Sequence, residues 1–172
     1  MRRVPERYVT PHPWALVDKR RYGDEETYRI AAAWLGGCAS VADWGGGAGY
    51  FRRFLPGSVR YLNVDGTLQD GVDVVADLAT YDGQSDGLML RHVIDNTPEP
   101  DYVLVNALAS YRERMAVVLY TPHSEAVQVV RYQYGWPVWN LNHERLIECF
   151  GSALRQTIKT GDETVFLLER RA

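Results

Sequence analysis

The 172-residue chain predicts an α/β fold, a three-layer sandwich around a mostly parallel sheet that ends in an antiparallel hairpin. Three observations predict it. Short Val- and Leu-rich runs without polar alternation recur along the chain, as strands buried on both faces require. Segments of helical spacing lie between some of them. Near the C-terminus, two β-like runs flank Gly161-Asp162, a hairpin turn signal.

In chain order, residues 1–13 are Pro-rich and polar and read as an extended arm. Asp24 then caps a helix with Tyr28, Ala31, Ala32 and Leu35 at helical spacing, and Gly36-Gly37 stops it. Strand-like runs follow at 40–44, 59–64, 72–76, 87–93 and 114–120. Helices are expected over Tyr50–Leu55, closed by Pro56-Gly57, and over Asp101–Arg112. Asn142 caps a helix that runs through Cys149, and Ala153–Thr160 pairs with Glu163–Glu169. One domain is expected over 1–172, with 1–37 an arm and helices able to form a lid and 38–172 the core.

Nearly half of the residues are apolar, enough for one core at this length. The net charge of −3 offers no field to attract a nucleic acid. Basic residues are almost all Arg, interspersed with acids, so Arg2-Arg3 and Arg52-Arg53 read as solvated faces. Cys38 and Cys149 sit among apolar residues without ligand spacing, which argues against a disulfide framework or a zinc site. The N-terminus has no apolar h-region and no run reaches membrane-spanning length, so a cytoplasmic location is expected.

The sharpest motif is Val41-Ala42-Asp43-Trp44-Gly45-Gly46-Gly47-Ala48-Gly49-Tyr50-Phe51, a buried strand entering a glycine turn that opens a helix. Glycines allow positive φ and let backbone N–H groups approach a ligand, and a helix N-terminus favours an anion. The dinucleotide pattern GxGxxG needs Gly or Ala at position 50, where Tyr50 stands. The pattern present is Asp43, Gly45, Gly47 and Gly49 at alternate positions.

That loop resembles the first motif of the class I S-adenosylmethionine (SAM)-dependent methyltransferases, VLDxGxGxGxF, and further matches follow in order. Asp65 in NVDG, with Gly66 beside it, stands where the family's acid bonds the ribose hydroxyls. Asp77-Leu78 matches the pair facing the adenine. LMLRHVIDNTPEP at 88–100 resembles the SHVLEHxxDP segment of ubiquinone-biosynthesis-type members, with Asp95-Asn96 in place of Glu-His. The resemblance runs from about Val41 to the final hairpin and implies a Rossmann-like sheet, SAM as cofactor and S-adenosylhomocysteine as product. Only Gly66–Gly71 separate the second and third strands, too few for the family's usual crossover helix.

The resemblance implies cofactor contacts from Asp43, Gly45, Gly47, Gly49, Asp65, Gly66, Asp77, Leu78 and Arg91, the last through its backbone. His92 aligns with the first histidine of HVLEH, and its ordinary pKa near 6.5 suits a general base; packing beneath the cofactor is the alternative. Asp95 reads as a helix-start cap or as a group orienting His92. Residues 121–146 are aromatic and irregular. His123, Tyr132, Tyr134, Trp136 and Trp139 are placed as walls for an acceptor or as packing, and His143 as an exposed first-turn residue. Trp14, Tyr22 and Tyr28 are candidates to close over the cofactor, with Trp14 also a substrate contact.

DNA-directed motifs are missing: 95–99 does not match [Asp/Asn]-Pro-Pro-aromatic, and neither cysteine follows a proline. The expected activity is methylation of a small-molecule hydroxyl or amine, such as a sugar or secondary metabolite. The alternatives are a non-catalytic SAM-binding partner module and an RNA methyltransferase that relies on a partner. No metal is expected, and a homodimer is compatible with the sequence.

Overall fold

A computed structural model describes residues 25–133 and 135–170. The arm, Trp14, Tyr22, Asp24 and Tyr134 lie outside these residues. Helix α1 (Glu25–Leu35) buries Tyr28, Ala31, Ala32 and Leu35, the stripe read from the sequence. Gly36 ends it because a Cβ there would stand 2.8 Å from the Ala32 carbonyl oxygen.

Seven strands form the main sheet: β1 (Ser40–Trp44), β2 (Arg60–Asp65), β3 (Val74–Val75), β4 (Ser85–Arg91), β5 (Tyr111–Leu119), β8 (Leu154–Thr160) and β9 (Glu163–Glu169). Their order is β3-β2-β1-β4-β5-β9-β8. The first five run parallel, and β9 enters antiparallel to β5 with β8 paired outside it. Central strands β4 and β9 are buried along nearly their whole length, whereas the edge strands β3 and β8 are partly exposed. Both faces carry cores. One joins Leu88, Leu90, Val117 and Phe166 to α2 (Pro100–Ser110) and α3 (His143–Phe150). The other joins Met89, Ala116 and Val165 to α1. The α/β sandwich with its Rossmann-like sheet and final hairpin is thus present, and β2 passes to β3 without a helix.

Three elements differ from expectation. Tyr50–Phe54 is a 3₁₀ turn rather than an α-helix, because Gly49 and Pro56 leave too few residues for two α-turns. Residues 121–146 are not irregular throughout: β6 (Gln128–Gln133) and β7 (Trp136–Asn140) form a separate antiparallel pair, turned near Gly135 at φ 86°. Exposure along β6 hides the usual apolar alternation. The third strand shrinks to two residues. Of the cysteines, Cys38 is buried but Cys149 is exposed on α3.

Candidate functional site

Strand order reverses between β1 and β4, and ligands of open parallel sheets gather beyond the strand C-termini at such a point. A cavity of about 200 Å³ lies there. Its lining includes Asp43, Gly45, Gly46, Gly47 and Ala48 after β1, Asp65–Thr67 after β2, Asp77 and Leu78 after β3, and Arg91–Val93 after β4. Eight of the nine residues placed on the cofactor line it; Gly49 does not. Gly49 instead begins the 3₁₀ turn with φ 72°.

The glycine bend is held by local bonds. Gly45, Gly47 and Gly49 all have positive φ, which only glycine adopts cheaply. Their N–H groups are engaged within the chain, Gly45 to the Val64 carbonyl, Gly49 to the Gly46 carbonyl and Gly47 to Asp65 Oδ2 at 2.9 Å. Three loop amides therefore grip the protein rather than an anion, and the short 3₁₀ turn supplies little helix dipole. Asp65 also accepts from the Thr67 N–H at 2.8 Å, so its carboxylate fixes the bend. Burial pushes its pKa up.

Asp43 is fully buried and accepts from the Tyr61 hydroxyl at 2.6 Å. Burial raises its pKa to about 7, with the Asp65 charge adding to the rise. Beside it Gly46 is required by space, since a Cβ there would stand 2.4 Å from Asn63 Oδ1 and 2.5 Å from Asp43 Oδ2. Asn63, which sequence reasoning passed over, donates to the carbonyls of Gly47 and Gly71 at 2.7 and 2.6 Å, clasping two loops. A polar residue inside the apolar run 59–64 was its only signal. Asp77 caps its own turn through the Ala79 N–H.

At the β4 tip the side chains form one buried network. Arg91 and Glu163 have side chains 3% and 9% exposed, and Arg91 Nη2 meets Glu163 Oε1 at 2.6 Å. The guanidinium also donates to Thr27 Oγ1 and the Tyr28 hydroxyl and lies over the Tyr28 ring. These bonds turn it towards α1 and β9. His92 Nε2 lies 2.8 Å from the same Glu163 oxygen, and its ring packs on Tyr120 at 4.7 Å between centroids. His92 is the sole non-glycine residue with positive φ among those described, at 58°. Such a conformation costs about 1–3 kcal/mol and persists where surroundings over-determine it. Burial lowers the His92 pKa. For Glu163, burial opposes but the His92 bond and the Arg91 charge prevail and hold the pKa down.

Asp95 does not cap α2, whose N-cap position is Glu99. It is buried in the 3₁₀ turn Ile94–Asn96, where Oδ2 accepts from the N–H groups of Tyr120 and Thr121. Burial raises its pKa to about 7. Trp136 lines the cavity, and Trp139 holds the adjacent wall by donating to the Thr97 carbonyl at 2.7 Å. His123 is exposed, accepts from the His143 N–H and stands away from the cavity lining, as does the exposed Tyr132. His143 is not the exposed residue expected but is buried edge-on against Phe166. Tyr28 and Tyr50 complete the lining on the α1 side.

No protein-family model and no curated protein sequence matches the chain. Solved structures do. The N-terminal domain of EvdMO1, solved with SAH and D-fucose, is 14% identical with a TM-score of 0.61 over 87% of this chain and 84% of that one. Magnesium protoporphyrin IX methyltransferase from Synechocystis PCC 6803, with bound SAM, is 16% identical with a TM-score of 0.60 over 88% and 89%. The fold is that of the class I SAM-dependent methyltransferases. A Rhodobacter sphaeroides protein described among Zn-dependent alcohol dehydrogenases shares the same outline, at 9% identity and a TM-score of 0.68 over 93% and 97%. Among the described residues here, no group of three or more His, Cys, Asp or Glu is placed to hold a metal ion. No helix among them is long and apolar enough to cross a membrane.

Proposed function

We propose that the chain is a SAM-dependent methyltransferase acting on a small-molecule hydroxyl or amine. The observation that carries this is the glycine bend at the β1 tip, pinned by Asp65 beside a cavity that the described side chains do not fill. Gly45, Gly46 and Gly47 line that cavity, and the positive φ of Gly45 and Gly47 keeps the bend tight against it. Asp65, with Gly66 beside it, accepts from the ribose hydroxyls, and Asp77 and Leu78 face the adenine. SAM supplies a methyl group already activated by its sulfonium, so the protein mainly aligns the acceptor and excludes water.

The described charges of the lining are Asp43, Asp65, Asp77 and an Arg91 whose guanidinium turns to Glu163. That balance suits a cationic cofactor and a neutral or cationic acceptor. Trp136, Tyr28 and Tyr50 offer apolar walls to such an acceptor. His92 takes the acceptor proton where the acceptor must lose one. The cavity that the described side chains leave favours an enzyme over a SAM-binding partner module, whose pocket would be closed by its own side chains.

The test is incubation with labelled SAM and pooled metabolite extracts, following the methyl group. Label in a small molecule, abolished in Gly47→Val, is the expected result. Calorimetry showing no SAM binding by the parent protein would sink the reading. With an acceptor in hand, His92→Ala lowers turnover by about 10²-fold or more while SAM affinity stays.

A further inference from the structure

We infer that Glu163, the first residue of β9, is the positioning residue that selects the working nitrogen of His92 and holds the β4 tip in its left-handed turn. The inference rests on the reading of His92 as the base.

Glu163 lies 71 residues from His92, yet its Oε1 accepts from both residues of the tip, from Arg91 Nη2 at 2.6 Å and at 2.8 Å from His92 Nε2. Its other oxygen accepts from Thr27 Oγ1 at 2.6 Å, which ties α1 into the same knot. A carboxylate held ionised by a buried guanidinium can only accept, so His92 Nε2 must carry the hydrogen. The imidazole is then fixed as the Nε2–H tautomer, and Nδ1 keeps the lone pair. Nδ1 is therefore the nitrogen that receives the proton when an acceptor hydroxyl is deprotonated. The acceptor oxygen's electrons form the bond to the methyl carbon, and the carbon–sulfur pair returns to sulfur. The imidazolium so formed is stabilised through Nε2–H by a carboxylate that keeps its charge. A buried acid that fixes a histidine tautomer acts on rate through orientation and electrostatics without touching substrate.

The backbone gives an independent reason for the arrangement. His92 N–H donates to the Val118 carbonyl at 2.9 Å, so the turn is clamped on its main-chain side by β5 and on its side-chain side by β9. Burial lowers the His92 pKa, and the charged groups that act on it are Glu163 from β9 and Arg91 from β4; the Tyr120 ring packs against it, with Asp95 bonded to the Tyr120 N–H behind. Glu163 favours the protonated ring and Arg91 opposes it. Neutralising Glu163 removes the charge that favours the protonated ring, so the ring becomes harder to protonate.

Nitrogen-15 NMR of the imidazoles reads this directly, with the His92 signal assigned by its loss in His92→Gln. In the full chain with SAH as the probe, His92 is expected as one tautomer, with Nε2 protonated and Nδ1 bare, across pH 6–8. In Glu163→Gln the tautomers mix, or the midpoint moves to lower pH. On the acceptor found with labelled SAM, this variant loses kcat by about 10²-fold with the SAM KM little changed. Its acid limb also moves to lower pH. An Nδ1–H tautomer in the parent overturns the inference. So does an unchanged tautomer and titration in a folded Glu163→Gln. If that variant does not fold, the parent's tautomer decides. Failure of the parent to bind SAH would instead sink the methyltransferase reading, while these tautomer results would stand or fall on their own.

Discussion

The two halves of the cavity are built by different means. At the β1–β2 side the parts come from Asp43 to Gly71, and the bonds are mostly backbone amides and carbonyls gathered by Asp65 and Asn63. At the β4 tip they are side chains from α1, β4 and β9, joined through one buried carboxylate. A bend made of main chain tolerates few side chains but can deform without unfolding its neighbours. A knot of buried charges is sensitive in the opposite way, since removing one member strands another in a low-dielectric interior. Damage to the first half should therefore appear in binding, and damage to the second in stability and proton transfer.

The largest effect is expected from Glu163→Ala. It breaks the buried 2.6 Å pair between Glu163 and the Arg91 guanidinium and should cost about 3–5 kcal/mol, read from the shift of the denaturant midpoint. A cost under about 1 kcal/mol would break the contrast. Gly47→Val should come next. Among the described residues its Cβ would meet nothing closer than Gln69 Nε2 at 3.8 Å, but φ is +54° and a β-branched residue resists it. SAM affinity should fall on the order of 10²-fold in calorimetry, with far less loss of stability.

Asp43→Asn sharpens the first half through pH. The buried carboxyl has a pKa of about 7 against an ordinary 3.8. Between those values the folded state keeps a proton that the unfolded chain has lost. The stability this group contributes is full at acid pH and is lost as pH rises through 7. The amide does not titrate, so its Tm should exceed the parent's at pH 8 by roughly 10 °C more than at pH 4.5. Equal differences at the two pH values would place the ionisation elsewhere. Trp139→Phe should be mildest. It removes the hydrogen bond to the Thr97 carbonyl and should cost about 1 kcal/mol, a Tm loss of roughly 2–4 °C.

Legibility follows the same division. Asp43, Gly45, Gly47 and Asp65 could be read from spacing because one turn and two adjacent strand ends bring them together. The β9 strand was read to its residue limits, but not what Glu163 does there, since its bond to Thr27 spans 136 residues. Asp95 was misassigned for a related reason: a carboxylate near a helix start more often caps it, whereas here it serves amides 25 and 26 residues later. His143 follows a true cap, Asn142, whose side chain accepts from the Arg145 N–H. Its burial depends on Phe166 across the sheet, which no local pattern conveys.

The reversed direction of β9 has one more consequence. Parallel neighbours deliver their last residues to the cavity end of the sheet, whereas an antiparallel strand delivers its first, and that residue is Glu163. Glu163 reaches the cavity end only because β9 runs backwards, and a parallel strand of the same residues would bring Glu169 there instead.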